Sequence, residues 1–343
     1  MTAAHEPPST PAMPMRPAAR LRLRPSGAFG IWVATGVLFL ASALVQPQSL
    51  SSSSLLGMLP FAAILAVVAA GQTLVIQQGG IDLSVPGMIS IGVVILTRIP
   101  NGDDGKLPGA AALAFLVLVG AGLLSGVVVN RIGITSIVTT LGMNALLFGG
   151  VMFISGGTPR DTTALLQALV TGTALGVPKT VWAALIVLGG VWFVVKQTVA
   201  GRRFEAVGAN RATAQASGIS PDVYQVGAYV GAGFLYFLGC LLLAGVVKTP
   251  SAFQGETYLL PSVAAVVLGG TSLLGGAGSV IATAGGALFL TQLQQLIPTT
   301  DVSAGVSLIV QAVAIAAGVA IHGVSTARLR AGLRRPWRTR ATA

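Results

Sequence analysis

Apolar positions in this chain fall into long continuous runs, without the strict alternation of a half-buried strand or the single stripe of a water-soluble helix. The runs cover residues 27–45, 55–76, 84–96, 109–129, 135–154, 181–195, 223–247, 262–274, 280–296 and 306–324. At 1.5 Å per residue, a full-length run crosses a hydrocarbon core of about 30 Å. The third, sixth and eighth runs are short, so tilted, re-entrant or extended segments are expected there. Continuous runs argue against a transmembrane barrel. The pattern predicts an all-α integral membrane protein with about ten transmembrane helices.

Local punctuation refines the pattern. Ser220-Pro221-Asp222 precedes the seventh run, with Ser220 placed as an N-cap and Pro221 at the first helical position. Gly122/Gly126 and Gly227/Gly231 are small-xxx-small pairs that allow close backbone approach. The first run contains Ala41-Ser42-Ala43, which resembles a signal cleavage site. The run is longer than a usual signal core and follows a long tail, so a retained first helix is favoured.

Composition agrees with the pattern. Hydrophobic residues make up 53% of the chain, 45 of its 343 residues are Gly, and only 8% are charged. A soluble surface cannot be covered with so few charges, since about 25% is usual. The net charge of +11 could suggest nucleic acid, but the basic residues cluster in 16–24, 196–211 and 328–340, with apolar spans between them. That is the arrangement of cytoplasmic loops and tails beside anionic lipid. With an inside N-terminus and ten crossings, fifteen of the twenty Lys and Arg lie inside, so both termini are expected to be cytoplasmic. The expected organisation is a disordered basic tail over 1–26, a transmembrane domain over 27–324 and a basic tail over 325–343.

The usual signs of catalysis are missing. Cys240 is the single cysteine and reads as a packing residue. His5 and His322 are far apart and read as tail and helix-end residues, and no Walker A motif occurs. No enzyme, cofactor or metal site is expected.

Three segments stand out. The first is Gly79-Gly80-Ile81-Asp82-Leu83-Ser84-Val85-Pro86, where two glycines stop one helix and Asp82 or Ser84 can cap the next. Asp82 is either a capping carboxylate or part of a polar hinge lining a pathway. The second is the basic loop 196–222. Within it Asn210 to Ser217 predicts a short helix capped by Asn210 and stopped by Gly218, with a small smooth face suited to a partner's groove. An ordinary positive-inside loop is the alternative. The third, 264–280, has five glycines between Gly269 and Gly278 beside Thr271 and Ser272. Its spacing fits neither a dinucleotide fingerprint nor a phosphate loop.

In order and spacing, these segments resemble the ribose-type (simple-sugar) permease family of ABC importers. A weaker fourth likeness is Ile137-Val138-Thr139-Thr140-Leu141-Gly142, and the resemblance covers roughly 55–320. It implies an inner-membrane permease that works as a dimer, with an identical or paralogous second copy. It implies ATP-binding cassettes on the cytoplasmic side and an extracytoplasmic solute-binding protein. It also implies that Gly208, Asn210, Arg211, Ala212, Ala214 and Gly218 belong to a coupling helix that docks on the cassette. The chain departs from the family at Pro86, where Gly is common, and after Leu141-Gly142, where an Arg common in the family is missing and the chain reads Met143-Asn144-Ala145-Leu146-Leu147. The Asn-x-x-Ala-Ala pattern becomes Asn210 to Ala214.

The resulting expectation is alternating access for a monosaccharide or similar polyol, driven by a separate ATPase subunit. Gln72, Asp82, Asn144, Thr271, Ser272 and Gln292 are the candidates for lining the route, because a polyol needs hydrogen-bonding groups. The competing reading is a secondary transporter or facilitator. It would call for intramembrane acids, of which Asp82 is the one candidate. A membrane enzyme would need paired acids or a metal set, and the sequence offers neither.

Overall fold

A computed structural model describes residues 27–296. The expected tails, His5, His322 and the run 306–324 lie outside the described residues. The nine runs within them all form helices. These are α1 (Gly27–Val45), α2 (Ser52–Gln77), α3 (Val85–Arg98), α4 (Leu107–Val127) and α5 (Ser136–Ser155). After a short helix α6 (Ala164–Val170) and a hairpin of β1 (Thr173–Ala174) with β2 (Val177–Pro178) come α7 (Lys179–Gln197), α8 (Val199–Ala209) and α9 (Arg211–Ala216). The last are α10 (Pro221–Val246), α11 (Leu259–Leu268) and α12 (Val280–Leu296). Among the described residues, five helices are long and apolar enough to cross a membrane: Ser52–Gln77, Asp104–Ile132, Ser136–Ser155, Lys179–Gln197 and Pro221–Val246.

The short runs are explained by where their helices sit. α3 spans about 21 Å at 1.5 Å per residue, less than the hydrocarbon thickness. Every residue of α3 before Arg98 is buried, so it is a core helix, apolar on all sides. It packs against α5, α10 and α4 and against the 3₁₀ turn Gln254–Tyr258. α11 starts at Leu259, directly after that turn, and stops at Leu268 where the glycines begin, so the expected run 262–274 is shifted and shortened. α2 and α10 form the spine. α10 lies on α4, α2 and α3, and α2 also meets α12, α11 and α7.

Glycine sets the closest contacts. A methyl on Gly122 would overlap the Tyr229 carbonyl, and one on Gly126 would lie 3.0 Å from the Val226 Cα. The pair on α4 therefore seats that helix on the α10 backbone, as expected. The pair on α10 behaves differently. Among the described residues, Gly227 faces open space and Gly231 meets only the Leu74 side chain. Cys240 is buried beside Gly92, with its sulfur 3.5 Å from the Ile89 carbonyl, in keeping with a packing role. Ser220 precedes α10 as placed, but its side chain makes no capping bond, which leaves Pro221 at the first turn as the start signal.

Candidate functional site: a three-way junction at the end of α2

The three unusual segments close their helices in the same way. After α2, Gly80 N–H bonds to Val75 O (3.1 Å) and Gly79 N–H to Ile76 O (2.9 Å). After α9, Ile219 N–H bonds to Ala214 O and Gly218 N–H to Gln215 O, both 3.0 Å. After α11, Thr271 N–H bonds to Val266 O (3.2 Å) and Gly270 N–H to Val267 O (2.9 Å). This is the Schellman closure, and Gly79, Gly218 and Gly270 take the left-handed conformation that it needs, with φ of 80°, 79° and 79°. The glycine spacing in the sequence therefore records three sharp helix stops.

These segments meet at the last turn of α2. Gly276 N–H donates to Gln77 O at 2.8 Å. A methyl on Gly208 would overlap that same carbonyl, and one on Gly275 would sit 2.9 Å from Gly208 O and 3.2 Å from Gly79 N. A methyl on Gly276 would be 2.9 Å from the Ala209 Cα. Backbone thus lies directly on backbone, with no side chains between the end of α2, the end of α8 and the loop before α12. Gln78 adds a side-chain link, donating through Nε2 to Phe204 O of α8 at 2.8 Å. Gln77 is fully buried at the centre, and among the described residues neither its amide oxygen nor its nitrogen has a hydrogen-bonding partner.

The break between α2 and α3 is held by side chains. Asp82 Oδ1 accepts from Ser84 N–H (2.9 Å) and from Ser84 Oγ (2.5 Å), while Oδ2 accepts from Tyr236 OH (3.2 Å). In the orientation that satisfies it, the Gln72 amide accepts from Asp82 N–H (3.2 Å). It also donates to Asp82 O (3.3 Å) and to the Tyr236 oxygen (3.2 Å). Gln72, Asp82, Ser84 and Tyr236 are all buried. Asp82, not Ser84, supplies the capping oxygen at this bend.

The other face of the break is held by α5. Ser136 Oγ accepts from Ile81 N–H (3.2 Å), Thr140 Oγ1 from Leu83 N–H (2.9 Å) and Asn144 Oδ1 from Gly87 N–H (2.7 Å). Residues four apart share a helix face, so one polar stripe supplies acceptors to three backbone donors that the interrupted helix leaves free. Sequence reasoning selected Asn144 but missed Ser136 and Thr140 as its companions. Their four-residue spacing inside an apolar run was the available signal.

The remaining candidates lie apart from this cluster. Gln292 on α12 donates to Ser42 Oγ of α1 at 3.0 Å, joining those two helices. Thr271 is buried without a partner for its hydroxyl. Ser272 is half-buried, and its hydroxyl accepts from Leu274 N–H at 3.3 Å. Gln72 and Asp82 thus meet directly, while Asn144, Gln292 and Ser272 bond to other partners.

α9 forms as its sequence predicts. Asn210 Oδ1 caps it by accepting from Thr213 N–H at 3.0 Å. Arg211 bridges to the start of α10 through Asp222 (2.8 Å) and Gln225 (2.6 Å). Asn210, Arg211, Ala212 and Gly218 are exposed, Gly208 is half-buried, and Ala214 faces inward at 4% exposure. The preceding basic stretch is not a loop. It forms α8, capped by Thr198 Oγ1, which accepts from Gly201 N–H at 3.1 Å.

Comparison with known proteins places the sequence in a family. The family described as the permease component of branched-chain amino acid transport systems matches residues 54–319. The chain is similar to the ribose import permease protein RbsC of Haemophilus influenzae, 31% identical over 84% of this chain and 90% of that one. It is 32% identical to the Escherichia coli K12 ribose import permease over 84% and 91% of the two chains. The fructose import permease protein FruF of Bifidobacterium longum is 32% identical over 73% and 72%. No solved structure matches the chain. The match spans all three junction segments, and the chain belongs to the ribose-type permease family of ABC importers.

Proposed function

We propose that this chain is the membrane-spanning permease subunit of a binding-protein-dependent ABC importer in the bacterial inner membrane, and that it carries a monosaccharide or similar ribose-like polyol. It crosses the membrane about ten times with both termini in the cytoplasm. It pairs with a second permease copy or paralogue, receives solute from an extracytoplasmic binding protein, and leaves ATP hydrolysis to separate cassette subunits.

The observation that carries this reading is the continuity from α9 to the helix break. An exposed, small-residue helix is capped by Asn210 and tied to α10 through Arg211. It follows α8 directly, and Gly208 of α8 rests on Gln77 at the end of α2. A push on α9 by a cassette is therefore delivered to backbone that leads into the Asp82 break, without soft side chains to absorb it. Gly208, Asn210, Arg211, Ala212, Ala214 and Gly218 form this coupling element. Ala212 lies on the docking face, and Ala214 is its inward anchor.

The candidates for the solute route divide by exposure. Asn144 and Ser272, partly open, line the pathway. Gln72, Asp82, Thr271 and Gln292 stand behind it and hold its walls.

The test is uptake of labelled ribose into proteoliposomes containing the permease, its neighbouring cassette ATPase and its binding protein. Uptake should require ATP, and Ala212→Trp or Arg211→Glu should abolish it while membrane insertion is unchanged. Accumulation in vesicles lacking the ATPase would overturn the reading. So would full ATP-driven uptake by both variants.

A further inference from the structure

We propose that an open apolar groove between α7 and α10 is a binding site for one anionic phospholipid, with an acyl chain in the groove and the phosphate at Arg202 and Arg203. The groove encloses about 530 Å³. Leu74 of α2 contributes to it, Val191 and Val194 of α7 face Val223 and Phe234 of α10, and Phe204 of α8 lies at one end. Along α10 it runs from Val223 to Leu238, about 22 Å at 1.5 Å per residue. That is enough for a chain reaching the middle of a bilayer whose core is about 30 Å thick.

The space exists because glycines leave it open. Gly190 and Gly227 both line the groove, and among the described residues a methyl on either would meet nothing within 4 Å. Ile186, Val194, Val223 and Phe234 are exposed along its opening, so it faces sideways, where lipid lies. An empty apolar groove forfeits dispersion contacts that a hydrocarbon chain restores.

Charge at the α8 end identifies the headgroup. Lys196, Arg202 and Arg203 stand there with two acids near by, Glu205, which is paired with Lys196, and Asp222, which is paired with Arg211. Among the described residues, the Arg202 and Arg203 side chains have no hydrogen-bonding or ionic partner, and both are exposed. Arg203 directly precedes Phe204 and lies one turn after Ala200, both of which line the groove. Guanidinium groups pair with phosphate oxygens. A protein helix in the groove would leave these cations unanswered. The apolar run 306–324 contains no acid, and a second copy would bring the same positive end.

The test uses the full chain reconstituted in vesicles of equal phosphatidylglycerol and phosphatidylcholine, extracted gently, with retained lipid read by native mass spectrometry. The wild type should retain phosphatidylglycerol in preference to phosphatidylcholine. Arg202→Gln with Arg203→Gln should reduce that preference by roughly fivefold per arginine while still retaining lipid. Gly190→Leu with Gly227→Leu should lose both lipids, and Gly142→Leu, at another open glycine, should behave as wild type. Equal retention of both lipids by the wild type would overturn the proposal. So would undiminished retention by the filled variant, or a disulfide formed between Val194→Cys and Ala316→Cys.

Discussion

Gly208 of α8 lies against the carbonyl oxygen of Gln77 at the end of α2, close enough that no side chain fits between them. The same oxygen accepts from Gly276 N–H at 2.8 Å. One carbonyl thus receives both the end of α8 and the glycine-rich loop.

Gly208→Ala should therefore be costly. The added methyl meets backbone, which cannot rotate away as a side chain would, and overpacking of this kind costs about 1–3 kcal/mol. Gly149→Ala, at a position with open space around it, is the matched control. Thermal unfolding in detergent should separate the two. Uptake by the Gly208 variant should fall further than its lost stability accounts for.

Gln77→Met should raise stability. The Gln77 amide is buried with no partner, which costs about 1–3 kcal/mol, and Met keeps the length of the side chain without its polar atoms. An unchanged or lowered unfolding temperature would show that the amide is satisfied in the protein as it works.

Tyr236→Phe and Gln72→Leu should each destabilise, and together by less than the sum. Both groups serve Asp82, and partners within one hydrogen-bond network are not additive. Each single change leaves a buried polar group at this bend short of a partner, at about 1–3 kcal/mol. The double-mutant cycle is read from chemical or thermal unfolding.

Thr140→Val should cost about 1–3 kcal/mol, because it removes the acceptor for Leu83 N–H and leaves that donor without its partner. Thr139→Val, one position away and with no side-chain partner, should be close to neutral or stabilising. Comparing the two unfolding midpoints separates the ladder from general polarity on α5.

Much of the fold was legible because burial in lipid and burial in protein leave the same mark, a long apolar run. All nine runs within the described residues are helices. The same fact hid the difference between helices that face lipid and helices that do not. α3 looked like a short crossing, yet it is enclosed by protein. Asn210 and Gly218 were readable because caps and stops are local chemistry. The inward turn of Ala214 was not, since it depends on how α9 rests against its neighbours. Gly227 gives the same lesson. Its spacing from Gly231 matches a packing pair, but among the described residues no helix covers it. The α5 ladder was half legible, since spacing shows which residues share a face but not what lies opposite.

That ladder limits how the protein can move. Ser136, Thr140 and Asn144 pin the start of α3 to α5 at three heights along one edge. Sliding or rolling one helix past the other would break all three attachments together in a setting with little water to replace them. A displacement of α5 would therefore carry the segment from Ile81 to Gly87 with it for as long as these three bonds hold.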